Sequence, residues 1–344
     1  MARCIDSSIM IDKSTTCSRL RHITFIEPAD SQTIHMIVGT DHYDINVREG
    51  VGKSLLKLKR YFDGRHSVSE VSQITGIPVN DIETLIGQFA EMGLFHRDTS
   101  IGGRIPVEEF LHRIDGACIM WGRQIGFHPL FKLLETGEAE QEVFSGLMLE
   151  TYHFVKSASR HISTAIAQCS DPGQANLLSR YLSDESDHAS LLLKVVCNLG
   201  MSVESATNSH PTVGTLSLIN MLCQIGREST LAYLVCTSLL EARRDEADRA
   251  REVLKSVCQI YGHNPQAINP LLRHMDCDLE SDHIGLLSLA LRDREFVDVH
   301  DAALAVNHLH DLKHAFDQFH DQILQYYTGV TNYIPRLKVD FFSL

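Results

Sequence analysis

Carboxylates and imidazoles recur at helical spacing in four stretches of the chain. In LMLETYHFVKSASRH, Glu150 and His153 are three apart among Leu147, Phe154 and Val155, where an unpaired carboxylate would be costly. LSRYLSDESDHASLLLKVV repeats the spacing with Glu185 and His188, followed by Leu191, Leu192 and Leu193. Glu241 closes the apolar run LAYLVCTSLL, either as a buried ligand or where a helix emerges into water. His274 and Asp278, four apart, share a helix face. Carboxylates satisfy hard cations and histidines add neutral nitrogen, so such residues projected inward from successive helices are the donors a two-metal centre needs. One pair alone is common on a solvated helix. The succession of four is the signal.

The elements that must position them change character near residue 100. Ile23–Ile26 and Thr33–Val47 have the β-branched, alternating pattern of short strands. Three short helices are expected next. Val51–Phe62 is the first, Val68–Thr75 follows behind the capping sequence Ser67-Val68-Ser69-Glu70, and Asp81–Met92 is the third. Residues 99–106, with Gly102, Gly103 and Pro106, read as a linker. Beyond them, turn signals at Asp171-Pro172-Gly173, Asn198-Leu199-Gly200, Ser209-His210-Pro211 and Gly262-His263-Asn264 separate segments of helical periodicity. The fold expected is mainly α: a small α+β winged-helix-like domain over 1–100, then a bundle of about seven or eight helices over 107–344.

The stretch YFDGRHSVSEVSQITGIPVNDIETLIGQFAEMGLF resembles the peptide-binding winged-helix domains of the pyrroloquinoline quinone peptide chaperone type (PqqD-like). Such domains recognise leader peptides in enzymes that modify ribosomally made peptides. The resemblance implies a leader peptide added to a sheet edge, with backbone bonds giving affinity and pockets giving selectivity. The alternative is a winged helix that only packs. ETYHFV, DESDHASLLLKVVCNLG and the order Glu-x-x-His, Glu, His-x-x-x-Asp resemble the heme-oxygenase-like diiron oxidases and oxygenases over roughly 107–330. That resemblance implies two Fe(II) ions and O2 as cofactors, and Glu185, His188, Glu241, His274 and Asp278 as ligands. Glu150 becomes the extra carboxylate that some members use, and His153 a ligand or a tuning residue beside it. Many members carry a His three residues after the final Asp. Here Ser281 stands in its place, Asp282 could substitute, and His283 falls on the opposite helix face. The second iron is then weakly held, or the site is mononuclear.

Other features bound the reading. His308, His310, His314 and His320 crowd the last helix, Ala302–Tyr327; His310 and His314 have metal-binding spacing but are expected to form a solvated polar face. Trp121, Tyr326 and Tyr327 are expected to pack. A net charge of −13 argues against generic nucleic-acid binding. No apolar stretch reaches the roughly 20 residues of a membrane span, and Asp6, Asp12 and Lys13 interrupt any signal peptide, so a cytoplasmic protein is expected. Nine cysteines without a C-x-x-C suit a reducing compartment. The function expected is O2-dependent hydroxylation, N-oxygenation or C–C cleavage of a peptide, amino acid or other small amine or acid. The rivals are a cofactorless enzyme of the same fold, thiaminase-type (TenA-like) or quinone-forming (PqqC-like), and a metal-free peptide-binding scaffold whose helical domain forms a homodimer.

Overall fold

The computed structural model describes residues 17, 19–20, 23–26, 33–38, 41–46, 57–92, 94–95, 103–240, 244–280, 285–329 and 336. For 24–26, 33–35, 37–38, 41–46, 244–246 and 278–280 the backbone alone is described. The chain divides into two compact units, Met1–Thr99 and Ser100–Leu344.

In the first unit, β1 (Thr24–Ile26), β2 (Thr33–Val38) and β3 (Asp41–Asn46) form an antiparallel meander in the order β1-β2-β3. The register pairs Thr24 with Ile37 and Thr33 with Asn46. Helix α1 (Val68–Thr75) starts where the capping sequence places it: the Ser67 hydroxyl accepts from the Glu70 amide, and the Glu70 carboxylate accepts from the Ser67 amide. It stops at Gly76, whose φ of 74° is the left-handed conformation glycine adopts without strain. Helix α2 (Val79–Glu91) follows Pro78, two residues earlier than the expected start at Asp81. Two small apolar clusters close the unit, Ile23, Met36, Phe89 and Leu94 in one, and Cys17, Leu58, Phe62, Val68, Val71 and Ile82 in the other. Of the expected helix Val51–Phe62, residues 51–56 lie outside the described residues.

The second unit opens with a correction to the linker. Residues Arg104–Pro106 form β4, which pairs antiparallel with β5 (Phe296–Asp298), Ile105 opposite Val297. Helices α3 (Val107–Gly126), α4 (Pro129–Thr136), α5 (Gln141–Lys156) and α6 (Ala158–Gln168) come first. Then α7 (Pro172–Asp184) leads through a 3₁₀ turn, Glu185–Asp187, into α8 (His188–Asn198), and α9 (Val203–Asn208) follows. After α10 (Val213–Glu228) come α11 (Thr230–Leu240), α12 (Arg244–Ile260), α13 (Asn269–Glu280), α14 (Leu286–Leu291) and α15 (Val299–Tyr327). Two stretches expected to be continuous helices, 147–161 and 178–196, are thus broken, at Ser157 between α5 and α6 and at Glu185–Asp187.

The apolar α11 is central, packing against α3, α6, α10, α14 and α15 and burying Ala232, Tyr233, Leu234, Val235 and Cys236. Helix α5 packs on α8 and α15, and α8 on α13. At Gly146 a Cβ would collide with the Tyr327 ring, so the α5–α15 approach requires a residue without one. Among the described residues, no helix is long and apolar enough to cross a membrane.

Candidate metal centre

Glu185, His188 and His274 converge: each offers one ligand atom, and the three atoms lie within 4.8 Å of one another. The local fold explains the first pair. The 3₁₀ turn has three residues per turn, so positions i and i+3 eclipse. Glu185 and His188 therefore meet, with His188 Nδ1 2.9 Å from Glu185 Oε2. A carboxylate can only accept, so Nδ1 donates, and the neutral ring carries its lone pair on Nε2. His274 arrives from α13, its ring centroid 4.4 Å from that of His188. Glu185 and His188 are buried and His274 is half-buried. Two imidazoles and one carboxylate in a largely dry position are a donor set that suits a divalent metal with open coordination positions, zinc as well as non-heme Fe(II). Such a cation also compensates a carboxylate that is otherwise costly to bury.

Glu150 and His153, expected to join this site, take other partners. Glu150 on α5 is fully buried. Its Oε1 accepts from the Tyr327 hydroxyl at 2.7 Å, and its Oε2 from the Thr212 amide at 3.0 Å and the Thr212 and Thr215 hydroxyls. Thr212 caps α10, so the carboxylate sits at that helix's N-terminus, where the macrodipole favours an anion. Burial pushes the Glu150 carboxyl up, against the pull of the four donors. His153 Nε2 lies 2.8 Å from Ser209 Oγ, on the loop that leads into α10. Burial, Lys156 and His210 together push its pKa down to about 4. Neither residue belongs to the group of three.

Glu241 lies outside the described residues, as do Ser281, Asp282 and His283. Asp278 is placed by its backbone alone, one turn along α13 from His274. Two further buried histidines, His161 and His128, have partners that residue spacing does not reveal. His161 Nδ1 is 2.7 Å from the Tyr233 hydroxyl, joining α6 to α11, and burial pushes that histidine down to about 4. His128 accepts the Leu130 amide on Nδ1 and lies 3.0 Å from Asp321 Oδ1 through Nε2. His128-Pro129 at a helix start was a legible cap; the Asp321 and Tyr233 partners come from distant sequence.

The helical unit has a heme-oxygenase-like fold. A domain from Shewanella denitrificans described as having that fold superposes with a TM-score of 0.55 at 18% identity, over 67% of this chain and 98% of its own. A TenA homolog from Pseudomonas syringae pv. tomato (TM-score 0.47, 11% identity, 63% of this chain and 93% of its own) and a CADD-like protein from Nostoc punctiforme (0.49, 14%, 63% and 100%) are more distant in shape. Residues 118–257 match the model of the TENA/THI-4/PQQC family, a span that includes Glu150, Glu185, His188 and Glu241. No curated protein matches the chain.

Proposed function

We propose that the helical unit is a non-heme iron oxidase or oxygenase, with Glu185, His188 and His274 holding the metal. The convergence of these three side chains carries the reading. Glu241 and Asp278 are the further carboxylates proposed to complete a diiron centre. Ferrous iron, when bound, supplies the electrons that reduce O2. The chain's own part is to hold and orient. Glu185 fixes the His188 tautomer through Nδ1, and the packing of α8 on α13 brings His188 and His274 together. The buried Glu150 network and the His153–Ser209 bond brace α5 beside α8; their proposed role is to tune that framework. The proposed substrate is a peptide, an amino acid or another small amine or acid, altered by hydroxylation, N-oxygenation or C–C cleavage. A leader peptide held by residues 1–99 would deliver it. The three-stranded sheet, whose outer strands β1 and β3 each have one neighbour among the described residues, supports that proposal.

The family match favours a second reading, a cofactorless enzyme on the same fold. Anaerobic Fe(II) titration of the full chain, followed by O2, separates the two. The iron reading expects uptake of one to two equivalents and an O2-dependent change in the visible spectrum, both lost in Glu185→Ala and His274→Ala. No uptake overturns it in favour of the cofactorless enzyme, and uptake unaffected by those substitutions overturns Glu185 and His274 as the ligands.

A further inference from the structure

Away from that centre, α15 carries a second imidazole pair. His310 Nε2 and His314 Nε2 face each other at 3.2 Å, with ring centroids 4.5 Å apart and planes at 82°. His310 is half-buried, its ring centroid 5.2 Å from that of Trp121 on α3. His314 is exposed, and its other nitrogen, Nδ1, lies 3.4 Å from Asp317 Oδ2. Lys313 Nζ holds the same carboxylate oxygen at 2.6 Å. Two imidazole nitrogens bound at about 2.0–2.1 Å to one tetrahedral ion stand about 3.3–3.4 Å apart. The pair is already near that bite. A carboxylate behind the second nitrogen is the usual orienting partner of a ligating histidine.

The geometry assigns to His310 and His314 a solvent-open site for a borderline divalent cation such as Zn²⁺, Ni²⁺ or Cu²⁺, with Asp317 as its orienting carboxylate. Imidazole suits these ions, and water fills the positions the protein leaves open. Burial and the neighbouring His314 push the His310 pKa down, which favours its neutral, ligating form; Asp311 and Asp317 oppose that shift. The exposed His314 fits the expected solvated face, and the close approach of the two Nε2 atoms adds a metal-binding reading to it. Without a metal, the same distance suits an N–H···N hydrogen bond between the rings, and this is the alternative to exclude.

The chain holds its own reporter. Trp121 is the only tryptophan, and its ring packs against His310. Ni²⁺, a paramagnetic quencher, should reduce Trp121 fluorescence saturably in the full chain. It should do the same in His274→Ala, where the other imidazole cluster is broken. His314→Ala, an exposed change that leaves the tryptophan contact in place, should abolish the saturable phase, and Asp317→Asn should weaken it about tenfold. Absence of quenching in the wild type, or quenching that persists in His314→Ala, overturns the assignment and leaves only the hydrogen bond. The test is independent of whether iron binds at Glu185.

Discussion

At the scale of single residues, Glu150 teaches most. Its spacing to His153 and its apolar surroundings marked it as a buried carboxylate, and it is one. Its partners could not be read from the sequence, because Thr212, Thr215 and Tyr327 lie 62, 65 and 177 positions away. Spacing finds neighbours within a helix and is silent about what another helix brings. Leaving one oxygen of a buried carboxyl without its donor costs about 1–3 kcal/mol. Tyr327→Phe should therefore lower the unfolding free energy by that much, seen as a lower urea midpoint with an unchanged slope, while iron stoichiometry stays as in the wild type. Lost iron with unaltered stability would instead place the Glu150 network in the metal centre. The cluster of Glu185 and His188 was legible for the opposite reason, since both belong to one turn.

At the scale of elements, caps were legible and breaks were not. Ser67 with Glu70 marks the start of α1, and Gly76 its end, because capping chemistry resides in the residues themselves. The 3₁₀ turn at Glu185–Asp187 shares the i, i+3 contact of an α-helix, so the hydrophobic pattern runs through it without a mark. Strand β4 was concealed similarly: three residues next to Gly102 and Gly103 look like a linker until β5 supplies their partner. The sheet of the first unit suggests where a peptide would add. Among the described residues, β3 is an edge with six residues against three in β1, so it offers the longer row of backbone groups. Extended peptides selected from a display library on the full chain should slow hydrogen exchange at amides within 41–46. Protection confined to other segments, or no binders at all, would remove the leader-peptide proposal.

At the scale of the whole molecule, the sequence announced two units and a mainly helical second one, because composition and periodicity shift together near residue 100. What it could not announce was which helix is central; α11 shows this only through the five helices packed on it. Stability should depend on pH for a reason spread across the bundle. His153 and His161 are pushed down to about 4, and His320, buried with His128 and Phe131 beside it, to about 3, mainly by burial. Unfolded histidine titrates near 6.5, so above that pH both states are neutral and nothing is lost. As pH falls toward 4 the unfolded chain takes up protons that the native state refuses, and stability drops by up to about 1.4 kcal/mol per pH unit for each histidine. Urea unfolding at pH 7, 6 and 5 should show that slope, and His320→Leu should flatten it by one proton. An unchanged slope in the variant would mean that His320 takes up its proton while folded.

The β4–β5 ribbon also sets a timetable. Arg104 pairs with Asp298, and His128 meets Asp321 across 193 residues, so the first elements of the helical unit have partners among its last as well as among nearer helices. On a ribosome adding roughly 5–20 residues per second, that interval is roughly 10–40 s. Throughout it the apolar faces of α3 and α5 have been made while α15, which covers them, has not. The first unit can close while the chain is still growing. The bundle must wait for synthesis to reach α15, and a chain stalled before that helix would present open core to chaperones.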